Sequence, residues 1–183
     1  MKITVAPHKL FGRRDIVREA KYLAPLAARI VERSVPGRMP RVQVTVTTPR
    51  GLAELATSAE TALVGDVDDR VRARALADAN RHARGAAGRA VALPDGGVLL
   101  LLNAHQHRTA DDVAVTLVHE LTHAMQYSRP GVRERMIRDL RDGFGIEPQS
   151  RREDRESARR LRAEEKEAYR AEHLASQLTR TAA

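Results

Sequence analysis

"TADDVAVTLVHELTHAMQYSRPG" spans residues 109–131 and carries two histidines four apart, with a glutamate directly after the first. Thr109 with Asp112 three residues later is a shortened capping box, which starts a helix, and Pro130 with Gly131 ends it. Residues four apart on a helix stand one turn apart on one face, so His119 and His123 can offer ring nitrogens to a single ion. Glu120 projects about 100° away round the wheel, close enough to reach a water on that ion without becoming a ligand. Val113, Leu117, Leu121 and Ala124 form an apolar stripe on the opposite side, while Asp112, Thr116 and Gln126 share the side of the histidines. The expectation is a helix packed on one face and polar on the other, with the polar face lining a cleft. Two histidines on an ordinary solvated helix would leave a similar pattern, so a further ligand is needed to decide between them.

Catalytic zinc normally takes three protein ligands. The chain has no cysteine, so any metal must be held by histidine and carboxylate. A long charged helix is expected from about 151 to 179, and its stretch "AEEKEAYRAEH" (163–173) offers Glu164, Glu165, Glu167, Glu172 and His173. Ala158, Leu161, Ala168 and Ser176 fall within about 60° of Glu165 on the helical wheel. Glu165 is thereby expected in the middle of the small and apolar face, where an unpaired carboxylate is costly and a metal would partner it. Glu172, on the same face two turns later, is the runner-up. Glu164 and Glu167 are expected on solvated surface.

Outward from these two helices, "RAVALPDGGVLLLLN" (89–103) is two apolar runs around a turn and predicts a hairpin. "RVQVTVTT" (41–48) alternates strictly and predicts a half-buried strand. Helices are expected over 15–34, with a potential kink at Pro25, over 52–63 and over 68–84, and a loop near 143–148. The fold class is α+β: a small mixed sheet packed on the histidine-bearing helix, followed by the long C-terminal helix. No repeat or low-complexity linker divides residues 1–183, so one domain is expected, with a helical and stranded part over 1–88 and the site over 89–179.

Composition narrows the partners. Aromatics are 3% with no Trp, so the core must be built from Ala, Leu and Val. The absence of disulfides suits a cytoplasmic protein, and no apolar run is long enough for a membrane span. The net charge of +8 comes almost entirely from arginine. In "RREDRESARRLRAEEKEAYRAEH" (151–173) the arginines alternate with acids, as on a salt-bridged solvated helix face, so nucleic acid is not the expected partner.

With "HELTH" (119–123) on one helix and Glu165 in "EKEA" (165–168) on a later one, the chain resembles a zincin metallopeptidase of the gluzincin type. Short soluble members of that group include the ImmA/IrrE-like proteins. The resemblance covers the two motifs and extends at most over 89–179; the N-terminal third resembles nothing in the family. In that group the third-ligand Glu is followed three residues later by Ala or Ser, which Ala168 fits, and often by Asp after that. Tyr169 stands where that Asp is common, leaving the usual second contact to a zinc-bound histidine without its acceptor. The resemblance implies a zincin-like fold, with a sheet strand just before the histidine-bearing helix, which "GVLLLLN" (97–103) fits as it would fit a buried strand, and a substrate lying along an edge strand as an added strand.

The expected activity is zinc-dependent hydrolysis of a peptide or protein substrate. His119, His123 and Glu165 hold the Zn2+, and Glu120 acts as general base. Tyr169, Tyr127 and His173 are candidate donors to the oxyanion, Tyr169 foremost, and His105 and His107 are expected as loop histidines. Two other classes remain open: a non-catalytic zinc-binding module that recognises peptides, and a nucleic-acid-linked regulator. The intact Glu120 favours the enzyme, because a purely structural site needs no base. Substrate specificity and oligomeric state leave no mark in the sequence.

Overall fold

Three parallel strands and one antiparallel strand make a mixed sheet of order β1-β2-β4-β3 in the computed structural model, which describes residues 3–179. Strands β1 (Ile3–Pro7), β2 (Val42–Thr47) and β4 (Val98–Asn103) run parallel, and β3 (Gly88–Ala92) pairs antiparallel with β4. The hairpin and the alternating strand occur where expected. The short edge strand β1 was not anticipated: Ile3 and Val5 are only half-buried, so its apolar pattern is two residues deep.

Helices cover both faces of the sheet, which is why β4 is apolar from Val98 to Leu102. Leu100 and Leu102 point into a core shared with α1 (Arg14–Ser34) and α4 (Ala110–Tyr127). Leu101 points the other way, into a smaller core with Leu52, Ala53 and Ala56 of α2 (Pro49–Val64) and Ala83 of α3 (Asp69–Ala83). Both cores are Ala, Leu and Val with few larger side chains, as the composition requires. Helix α1 continues through Pro25 without a break.

Helix α4 starts at a full capping box: Thr109 accepts from the Asp112 N–H, and the Asp112 carboxylate accepts from the Thr109 N–H. The loop before it is pinned from a distance. The Arg13 guanidinium donates to the carbonyls of Ala104 and His107, and His107 itself is fully buried between the Asn103 carbonyl (2.7 Å) and Thr116 Oγ1 (3.0 Å).

Two differences from expectation bear on the site. Residues after Gly131 form a further helix, α5 (Val132–Gly143), with no fully buried residue. Its Val132, Met136 and Leu140 repeat at i, i+4 and line the cleft rather than a core. The long C-terminal helix also ends early. α6 (Arg151–Ala171), capped by a Ser150–Glu153 box, passes into a 3-10 turn (Glu172–Ala175) and the short α7 (Ser176–Thr179). Among the described residues no helix is long and apolar enough to cross a membrane.

Candidate metal centre

Helix α4 is not the half-solvated helix expected from its wheel. Val113, Leu117, Leu121 and Ala124 are buried, but so are Glu120, Thr122, His123 and Gln126 on the supposedly polar side. The physical reason is that β3 and α6 cover that side. What remains open is a cleft of about 490 Å³ floored by β3 and α4 and walled by α2, α5 and α6.

His119, His123 and Glu165 meet at one edge of this cleft. His119 Nε2 and His123 Nε2 stand 3.2 Å apart, and the Glu165 carboxylate oxygens lie 3.6 Å and 3.4 Å from them. Tetrahedral zinc with bonds of about 2.0–2.2 Å separates its ligand atoms by roughly 3.3–3.5 Å, so the spacing fits such an ion. Tautomers point the same way. His119 Nδ1–H donates to Glu172 Oε1 at 2.8 Å, and His123 Nδ1–H donates to Gln126 Oε1 at 2.8 Å. The Gln126 amide nitrogen is occupied in turn by the Glu164 carbonyl and the Glu167 carboxylate, which leaves its oxygen for the histidine. Both Nε2 lone pairs therefore face each other beside a carboxylate, an arrangement that a cation among the three atoms relieves.

Glu165 reaches this position for a different reason than its wheel suggested. Ala158 and Leu161 are exposed, because the first half of α6 runs beyond α4, and the Glu165 side chain itself is 42% exposed. Only Ala168 of that stripe is buried, against α4. Glu164 and Glu167 are not solvated surface: Glu164 pairs with Arg135 of α5, and Glu167 takes two hydrogen bonds from Arg129. Those bonds hold the Glu167 carboxyl below its ordinary pKa. Glu172, the expected runner-up ligand, is the partner of His119 Nδ1 instead. It supplies from seven residues after Glu165 the contact that Tyr169, four after, cannot make.

Glu120 lies in the cleft beside the triad. Burial pushes its carboxyl pKa up to about 8, with the Glu165 charge adding, against a backbone hydrogen bond from Ala90 and the Arg89 charge. Burial also lowers the His123 pKa. Gly88 is the residue that lets β3 approach so closely: a Cβ there would meet Thr116 Cγ2 at 2.7 Å and Glu120 Oε1 at 2.9 Å.

Of the candidate donors, Tyr169 sets its ring edge-on against His119 with centroids 4.9 Å apart, its side chain 64% exposed. The Tyr127 ring stacks beside His123, and its hydroxyl donates to the Ala90 carbonyl at 3.1 Å. His173 is exposed and bonded to the Arg170 carbonyl, and neither His105 nor His107 lines the cleft. The edge strand beside the site is β3. β4, the strand expected just before α4, is in that place and is paired on both sides.

The remaining cleft wall separates into two kinds of group. Charged side chains there are matched, Glu60 with Arg89 and Glu164 with Arg135, while Leu63, Val132, Met136, Leu140 and Leu161 are apolar. No protein-family model, curated protein or solved structure matches this chain, so the geometry of the cleft is the ground for any functional reading.

Proposed function

We propose that the chain is a zinc-dependent peptidase of the zincin type, hydrolysing peptide bonds in the cleft between α4, α5, α6 and β3. The observation that carries this reading is the convergence of His119 Nε2, His123 Nε2 and Glu165 at ion-binding spacing, beside a buried carboxylate that ligates nothing. His119, His123 and Glu165 hold the metal, with Glu172 and Gln126 fixing the two imidazole tautomers. Zinc bound there supplies Lewis acidity, lowering the pKa of a water toward neutrality and polarising a carbonyl.

Glu120 takes the proton from the attacking water and returns it to the departing amine. Its slot excludes bulk solvent, and the Ala90 N–H orients its carboxylate. Strand β3 aligns the substrate. Its alternation turns the N–H and C=O of Gly88 and Ala92 to the outer edge with those of Ala90, and an extended peptide can pair there. Ala90 itself is already engaged by Glu120 and Tyr127. Tyr169, beside His119 at the rim, is the candidate second donor to the oxyanion.

The test is hydrolysis of a broad peptide library by wild type and Glu120→Gln, both zinc-loaded. The variant is expected to keep its zinc and lose hydrolysis by about 10²- to 10⁴-fold, mainly in kcat. A zinc-loaded wild type that cleaves nothing would favour the peptide-binding module. A variant that cleaves at the wild-type rate would rule out Glu120 as the base.

A further inference from the structure

The charges of α6 alternate along the sequence but are sorted by the helix. At 100° per residue, Arg151, Arg155, Arg159, Arg162 and Lys166 fall within about 80° of one another, with Arg152 and Arg170 at one margin. All seven are exposed. The acids of the same helix lie outside this sector, and five of the six are engaged: Glu153 in the Ser150 cap, Glu156 by Arg160, Glu164 by Arg135, Glu165 beside the histidines and Glu167 by Arg129, while Asp154, about 60° from Arg151, forms no ion pair with the row. Among the described residues none of the five row cations forms an ion pair, and Arg162 bonds only the Ala158 carbonyl. The face expected to be salt-bridged is thus a straight, unneutralised row about 22 Å long.

We propose that this row binds the sugar–phosphate backbone of a nucleic-acid duplex. The charge is complementary to a strand that presents a phosphate about every 3.4 Å, so a row of this length meets about six of them. Four of the five cations are arginines, whose planar fork grips phosphate oxygens in pairs. Stacking along a run of single-stranded bases needs several open aromatic faces, and the row carries one tyrosine, Tyr169, already in contact with His119. Insertion into a lipid surface needs apolar side chains among the cations. Within the row the one large apolar side chain is Tyr169, already in contact with His119; exposed Leu161 lies about 80° outside it, and Ala168 and Ala171 are turned to the core. Binding of this kind is insensitive to base sequence and steep in salt. The cleft lies to one side of the row: Glu164 is turned away from it, and Glu165 stands about 40° beyond its edge.

The experiment measures binding of a labelled 20-base-pair DNA duplex to the full chain between 50 and 300 mM salt. The expected log–log slope is about −4 to −5, from five neutralised phosphates at about −0.9 each. Replacing Arg155, Arg159 and Arg162 together with Gln should weaken binding at least about 30-fold at low salt and flatten the slope by between 2 and 3. Replacing Arg70, Arg74 and Arg84, exposed arginines on or just after α3, removes the same charge and should change binding less than about threefold. Zinc content and circular dichroism of each variant report that site and fold are intact. Four outcomes would overturn the proposal: no duplex binding at 50 mM salt, equal losses in the two triple variants, tighter binding to the single strand, or binding to phosphatidylserine vesicles without binding to the duplex.

Discussion

At the scale of single residues, the site works through what holds the far side of each imidazole. His119 and His123 present Nε2 to the same point only because Glu172 and Gln126 hold the Nδ1 protons. Ligands and their supports should therefore separate in a metal titration. Glu165→Ala removes a ligand and should abolish tight zinc binding, whereas Glu172→Ala should lower affinity by about 10- to 100-fold without abolishing it. Competition with a fluorescent chelator reads both, and the reverse order would make Glu172 the ligand. A second histidine sets an acid limit on stability. Burial of His107 lowers its pKa from the ordinary 6.5, against the Asn103 carbonyl and Asp112. The folded state thus keeps it neutral where the unfolded chain takes up a proton. Its contribution is complete above 6.5 and is lost as pH falls below that value. Urea unfolding at pH 7.5 and 5.5 should show wild type losing more stability than His107→Gln over this window, by up to about 1 kcal/mol. An equal loss in both would remove His107 from the account.

At the scale of elements, the close approach of β3 to α4 brings the base to the edge strand. Gly88 has no side chain where Thr116 and Glu120 press against the strand. Gly88→Ala must push the Glu120 side chain aside, so kcat should fall by tenfold or more while zinc content stays the same. Unchanged kcat would mean that the slot is more compliant than its contacts indicate. Elements whose signals are local were legible in sequence. The Thr109–Asp112 box, the 88–103 hairpin and the alternating β2 each carry their instruction within a few residues. Helix α5 was not: Val132, Met136 and Leu140 repeat at i, i+4, but they line the cleft rather than a core, and Pro130–Gly131 signals a helix end directly before them. The end of α6 was not either. Nothing between Ala171 and Ser176 breaks a helix in sequence, and the 3-10 turn that carries Glu172 lies where the chain packs against α4 and α1.

At the scale of the whole molecule, two buried layers on a four-stranded sheet leave a cleft beside the histidines, and a basic helix face on the outside. The histidine pair and its glutamate were legible because the i, i+4 spacing fixes their geometry whatever surrounds the helix. Glu165 was also named from sequence, but on a burial argument that its 42% exposure does not bear out. What brings it to the histidines is the packing of α6 across α4, which no wheel encodes. Anomalous diffraction at the zinc edge, from crystals grown without added chelator, tests the central claim most directly. The account predicts one peak about 2.0–2.2 Å from His119 Nε2, His123 Nε2 and a Glu165 carboxylate oxygen, with Glu172 still on His119 Nδ1. Absence of any peak there after soaking in zinc, or a peak ligated by Glu172 in place of Glu165, would contradict it.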